Sequence, residues 1–217
     1  MSAISSTFQQ SQPETSEPRI GPNAVLQSWR ALDELEDAAT AARIRTRAGL
    51  PKTLPDGMIP EVWFLRVIDA LRAELDADRA EGVLRRAGMY TAVYVANRRI
   101  PATVRTILGV LPARVAIPIL FSAFRKHAWT FAGAGRFSAE GDYPGTLVLD
   151  GAPTCRERRR GDRASGAYYE AAFEGLLRIA SANVHVREVA CQAAGAPRCR
   201  FQVTLHAPAG EVSCASS

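Results

Sequence analysis

Apolar residues recur at helical spacing through the first half of the chain and alternate with polar ones through much of the second. Val25, Leu26, Trp29, Leu32 and Leu35 mark one face of a helix, and Asn23 is placed to cap it. Asp33, Glu34, Glu36 and Asp37 give that region an acidic, solvated face, and Gly49-Leu50-Pro51 ends it. A loop with Pro55, Asp56 and Gly57 follows, and Pro60 suits the first turn of the next helix. Val62, Leu65, Val67, Ile68, Leu71 and Leu75 form that helix's buried side. A further helix over about 76–97 carries Val83, Leu84, Tyr90, Val93 and Tyr94. Residues 100–129 are the most apolar stretch, and Pro101, Pro112 and Pro118 predict its division into short helices.

After Trp129 the period changes. Residues 129–139 alternate and predict a strand, as do residues 145–149, with a turn at 141–145 between them. An amphipathic helix over 164–180 carries Tyr168, Tyr169, Phe173, Leu176, Leu177 and Ile179. Residues 183–189 and 199–205 then alternate again, as two strands of a hairpin. The expected fold is α+β, a helical half on a small antiparallel sheet. Residues 1–20 read as a disordered tail, 21–130 as the helical part, 131–207 as the strand-rich part and 208–217 as a second tail. The first tail is rich in Ser, Gln, Thr, Glu and Pro, too poor in apolar groups to offset the entropy of ordering.

Composition narrows the class. The 217 residues are 47% hydrophobic, enough for a sizeable core. The net charge of +5 is carried almost wholly by arginine, without an arginine-rich helix interleaved with aromatics. That argues against nucleic acid and leaves acidic small molecules or at most peripheral contact with an anionic membrane. There is no secretory signal and no apolar run long enough to cross a bilayer, so a soluble cytoplasmic protein with reduced thiols is expected. Gly133-Ala134-Gly135 is not a phosphate loop, because Ser138 stands where the third glycine of G-x-G-x-x-G would be.

The cysteines are the main chemical signal. Cys191 and Cys199 flank the hairpin loop with Gly195 and Pro197, Glu188 lies three residues before the first, and Cys155 lies one helix upstream. Three thiols and a carboxylate could converge on one metal ion, with zinc the natural candidate. Core packing of the thiols and a disulfide remain the alternatives on spacing alone. Residues three apart on a regular strand face opposite ways, so Glu188 joins Cys191 only if the strand ends or bulges by Ala190. Cys214, in the second tail, reads as a free thiol. A second signal is the aromatic end of the apolar stretch, Phe121 to Phe131. Apolar walls rimmed by Arg125 and Lys126 would suit a flat acidic ligand, and an ordinary helical core with a solvated face is the alternative.

Cys155, a helix, then Glu188-x2-Cys191-x7-Cys199-Arg200-Phe201 resembles the C-terminal signature of the 4-vinyl reductase domain. Ile20-Gly21-Pro22-Asn23, Glu61-Val62-Trp63 and the arginine-punctuated stretch 100–129 are similar to the bacteriochlorophyll 4-vinyl reductase family, so the resemblance spans about residues 20–206. It implies an α/β domain similar to haem-NO-binding and TRAPP-type domains, usually a homodimer that binds a small hydrophobic ligand. It also implies a structural Zn²⁺ on Cys155, Glu188, Cys191 and Cys199, although Cys155 lies further from Glu188 than its counterpart in the phenol-sensing members. Such a site would carry a net charge of −2, for which Arg156, Arg158, Arg198 and Arg200 are nearby candidates in sequence.

The family name implies reduction of a vinyl group on a chlorophyllide precursor. Reduction needs a hydride or electron source, and this chain has no Rossmann fingerprint and no recognisable flavin motif. It also has too few cysteines for an iron–sulfur cluster beside a zinc site. A carrier or accessory factor fits better, one that binds a Mg-porphyrin or chlorophyllide and passes it to pathway enzymes of bacteriochlorophyll synthesis. A 4-vinyl reductase of divinyl (proto)chlorophyllide is the alternative, and a small-molecule-sensing regulatory domain the third reading. For a Mg-tetrapyrrole ligand, Phe121, Phe124, Trp129 and Phe131 are candidate walls, Arg125 and Lys126 candidate propionate partners, and His127 a candidate axial ligand. An ordinary surface or capping role is the alternative for His127, and His185 and His206 carry less signal.

Overall fold

A computed structural model describes residues 17–141, 143–155 and 166–206. Its first half is helical: α1 (Asn23–Leu35), α2 (Ala38–Ala48), α3 (Glu61–Glu74), α4 (Ala77–Arg99), α5 (Ala102–Val110) and α6 (Ala113–His127). A four-stranded antiparallel sheet forms most of the rest, from β3 (Arg136–Glu140), β4 (Thr146–Asp150), β5 (Val184–Ala190) and β6 (Cys199–Leu205), in the order β3-β4-β6-β5. Helix α7 (Ala167–Leu177) packs between this sheet and α4. Two short strands, β1 (Arg19–Ile20) and β2 (Ile59–Pro60), pair antiparallel beside the N-terminus of α3.

Several elements depart from the pattern-based expectation. The first helical region is two helices, because the Asp37 carboxylate accepts the backbone N–H groups of Ala39 and Thr40 and starts α2 afresh. Arg19 and Ile20 do not belong to a tail. They form β1, and Ile20 is fully buried in the core. Residues 1–16, by contrast, lie outside the described part. Pro60 precedes α3 as its cap instead of forming its first turn. Pro118 does not end α6: its ring faces solvent, while Ala116, Ile117, Leu120, Phe121 and Phe124 hold the helix against the core. Packing of an apolar face outweighs one lost backbone hydrogen bond.

Residues 129–135 are not strand. A 3₁₀ turn spans Ala128–Thr130, and β3 starts only at Arg136. Gly133 adopts φ 58° beside the buried Glu61, whose Oε2 accepts the Ala134 N–H at 3.0 Å. A side chain at Gly133 would occupy the place of that carboxylate. Alternation in this stretch therefore records a loop threaded over the start of α3.

The sheet buries one face. Cys199, Phe201 and Val203 point inward along β6, as do Val184 and Val186 on β5. Edge strand β5 is closed by α7, where Glu174 accepts the Val186 N–H at 3.0 Å and Glu170 the Glu188 N–H at 2.5 Å. Arg85 on α4 pairs with Glu170 at 2.9 Å, tying both helices to the same edge. Where α4 crosses α7, Gly88 lies against the Tyr168 carbonyl and Ala171, and Gly175 against Ala92, so small residues set the close approach.

Candidate functional site

The inward face of β6 presents Cys199 at the end of the sheet. The turn after β5 brings Cys191 back beside it, closed by Ala194 N–H to Cys191 C=O at 3.1 Å and Ala196 N–H to the same carbonyl at 3.0 Å. The segment after β4 folds over them and supplies Cys155. The sulfurs lie 3.5 Å (Cys155–Cys191), 3.4 Å (Cys155–Cys199) and 4.0 Å (Cys191–Cys199) apart. All three thiols are buried and free, so the disulfide alternative does not hold among them. A tetrahedral ion with bonds of about 2.3 Å to sulfur places thiolates about 3.8 Å apart, close to this triangle.

Glu188 reaches the cluster through a β-bulge. Glu188 pairs with Phe201 and Ala190 with Arg200, so Val189 is extra and turns outward. This is the irregularity that a shared face for Glu188 and Cys191 requires. The carboxylate Oε2 accepts the Gly166 N–H at 3.0 Å, whereas Oε1 is buried without a hydrogen-bonding N–H or O–H partner among the described residues. Burial, followed by the neighbouring Cys191 sulfur, pushes the Glu188 carboxyl up to about 9. Among the described residues the group of close metal-ligating atoms comprises Cys155, Cys191 and Cys199, with Glu188 beside it and not part of that triangle.

The electrostatics of the cluster favour a cation. Hydrogen bonds from Cys191 and Cys199 hold the Cys155 thiol down to about 3, and the same sharing pushes Cys199 up. One ionised sulfur is solvated by two thiols, by the Thr154 hydroxyl at 3.6 Å and by the Ala193 N–H. The Gln192 N–H approaches Cys199 Sγ at 3.4 Å. A divalent ion would let the remaining thiols and Glu188 ionise together, so the donor set fits a thiophilic metal.

Backbone and amide donors surround the sulfurs where arginines were expected. Arg198 and Arg200 instead pair with Glu140 on β3, at 3.1 and 2.9 Å. They lie on the other side of the strand from Cys199, because neighbours along a strand face opposite ways. Arg156 and Arg158 lie outside the described residues, as does Cys214. The sequence reading missed Gln192: its Oε1 accepts the N–H groups of Gly151 and Ala152 at 2.8 and 3.3 Å, and its Nε2 donates to Pro197 C=O at 3.1 Å. Gln192 thereby staples the Cys155 segment to the hairpin loop. Gly166 was missed too, and a Cβ there would collide with the Glu188 carboxyl. Neither residue has a sequence signal, since each acts across the fold.

The aromatic candidates divide. Phe121 and Phe124 are buried under α6, and Phe131 joins them through Phe137 and Phe173, with ring centroids 5.3 to 6.5 Å apart. Phe173 also meets Phe201, two residues from Cys199, so the aromatic core adjoins the thiol cluster. Arg125, Lys126, His127 and Trp129 are exposed at the end of α6, and Arg125 donates to Ala139 C=O at 3.2 Å. The fold thus brings the three phenylalanines together and leaves the polar candidates outside them. All three histidines, His127, His185 and His206, are exposed, and His185 and His206 stack on each other. A cavity of about 530 Å³ lies elsewhere, between α2 and α3, lined by Arg47, Arg66, Asp69 and small residues.

This architecture is shared with solved proteins. An Fe(II) unliganded H-NOX protein from K. algicida superposes with a TM-score of 0.57 at 12% identity, covering 88% of this chain and 98% of that one. The phenol-responsive sensory domain of the transcription activator PoxR, solved with phenol, does so at 0.50 and 13% identity, covering 78% and 91%. The family model of the vinyl-4-reductase domain matches residues 146–205, which hold the thiol cluster and its sheet. An H-NOX-like α+β fold with a vinyl-4-reductase domain is therefore the class. The bacteriochlorophyll synthase 23 kDa chain of Rhodobacter capsulatus is 36% identical over 207 residues, 94% of this chain and 95% of that protein. That of Cereibacter sphaeroides is 35% identical over 195 residues, 85% and 90% respectively. The chain belongs to the family of the bacteriochlorophyll synthase 23 kDa chains.

Proposed function

We propose that this protein serves bacteriochlorophyll synthesis by binding a Mg-porphyrin or chlorophyllide intermediate and presenting it to a pathway enzyme. The reading is carried by the similarity to the 23 kDa chains along nearly the whole length, helical half included. The aromatic cluster beneath α6 supports it: a macrocycle entering there meets Phe121, Phe124, Phe131 and Phe173, with Arg125 and Lys126 at the rim for its propionates. With the walls packed on one another, entry requires α6 to shift. His127, exposed beside that rim, is the candidate axial ligand.

Cys155, Cys191, Cys199 and Glu188 hold a structural Zn²⁺ in this proposal. Four protein ligands leave no open position, so the ion braces the sheet and takes no part in chemistry on the ligand. The working form is a homodimer.

The deciding experiment is titration of the zinc-loaded protein with Mg-protoporphyrin, read by the Soret band and by quenching of Trp29, Trp63 and Trp129. Saturation near one per chain is expected, without consumption of NADPH when a divinyl substrate is supplied. Absence of saturable binding to Mg-protoporphyrin and to chlorophyllide overturns the proposal. Turnover of the divinyl substrate by the pure protein replaces the carrier with the vinyl reductase.

A further inference from the structure

The charge of this chain is segregated. Residues 82–139 contain no aspartate or glutamate, while arginine and lysine recur from Arg85 to Arg136. The same stretch carries the helices least engaged with the body. Helix α5 buries one side chain, Leu108, and leaves Ile107 56% and Val110 79% exposed. On α6, Val115 and Ile119 share a face one turn apart and are also exposed, and Trp129 beyond its end is 60% exposed. Arg98, Arg99, Arg114 and Lys126 make no ion pair with any described residue. Arg105 donates to Ala96 C=O at 3.0 Å and to Asn97, so it fastens the start of α5 to the end of α4 and leaves the outer side free.

We propose that the α5–α6 segment is a docking surface for an anionic lipid bilayer, which holds the protein on the membrane surface. Aliphatic side chains ringed by unpaired cations, with an exposed tryptophan, match the acyl boundary and headgroup layer of such a surface. No helix among the described residues is long and apolar enough to cross a membrane, so contact is interfacial. A second copy of the chain is the poorer occupant. A two-fold contact through this face would set cations against cations with no carboxylate from residues 82–139 to offset them. Nucleic acid would leave Ile107, Val110 and Ile119 facing phosphates and water.

The test is co-sedimentation of the zinc-loaded full chain with phosphatidylcholine vesicles, with and without phosphatidylglycerol. Binding is expected only with phosphatidylglycerol, weakening as salt rises. A blue shift of tryptophan emission should accompany it and disappear in Trp129→Phe. Ile107→Ser with Val110→Ser should weaken binding on the order of 10-fold, from loss of apolar burial. Arg98→Glu with Arg99→Glu should weaken it at least as much, since each cation near an anionic surface is worth roughly 5-fold. These positions are exposed, so unchanged thermal melts will show that the variants fold. Equal binding to both vesicle types, or variants that bind like the parent, would overturn the proposal. So would a dimer in solution that Ile107→Ser with Val110→Ser abolishes, which would assign the face to a second copy. Tetrapyrrole titration of the same variants separates this surface from the proposed ligand site, because vesicle binding can fail while titration succeeds, and the reverse.

Discussion

Glu188 illustrates how single residues make the thiol site. Its place depends on the bulge at Val189 and on the absence of a side chain at Gly166, whose N–H is its partner at 3.0 Å. Gly166→Ala should push the carboxyl away from the sulfurs, costing about 1–3 kcal/mol as an overpacked contact. It should also weaken zinc retention in competition with a chromogenic chelator, and urea unfolding will measure the stability loss. Tyr168 supplies a pH dependence away from the metal ligands. Burial pushes its phenol up to about 12, and its hydroxyl lies 3.0 Å from Thr91 Oγ1. The unfolded phenol ionises near pH 10, so the folded state's contribution is complete below about pH 10 and is lost as pH rises toward 12. The urea midpoint should fall across that window, and Tyr168→Phe should remove about 2 kcal/mol of the decline.

Among the elements, the α4–α7 crossing controls how close the helical half comes to the sheet. Gly88 meets the Tyr168 carbonyl and the Ala171 Cβ, the latter 2.9 Å from where a Cβ would stand. The gain in helix propensity from Gly88→Ala is about 1 kcal/mol, smaller than the cost of forcing apart two helices that also carry Arg85–Glu170. A net loss of about 1–2 kcal/mol is expected in chemical denaturation. The periodicity that predicted α3, α4, α7, β5 and β6 was reliable because each buries a face with the matching repeat. It failed at residues 129–135, where the buried Glu61 and two glycines dictate the path, and at Pro118, where packing overrode a breaker.

At the scale of the molecule, three cysteines from separate segments meet beside the aromatic core. A metal there ties the end of β5, the start of β6 and the segment after β4 into one unit. Its removal should therefore lower global stability and not merely loosen a loop. Chelation should reduce the melting temperature by about 5–10 °C for a domain of this size, measured by calorimetry with and without added zinc. The segregated charge also belongs to this scale, because acid-free helices project on one stretch of the chain while Glu170, Glu174 and Glu140 are used to lock the sheet.

The sequence alone settled the elements with strong periodicity, the α+β class and the family, since these rest on local pattern and on motif spacing. It also named Cys155, Cys191, Cys199 and Glu188, because ligating residue types are recognisable without coordinates. Only the tertiary structure decided that the three sulfurs lie 3.4 to 4.0 Å apart, that a bulge turns Glu188 toward them, and that Arg198 and Arg200 serve Glu140 instead. The same holds for the division of the aromatic stretch into packed phenylalanines and an exposed basic end. Those outcomes depend on which side of an element a residue faces and on what crosses the fold to meet it. Neighbours in sequence carry no record of either.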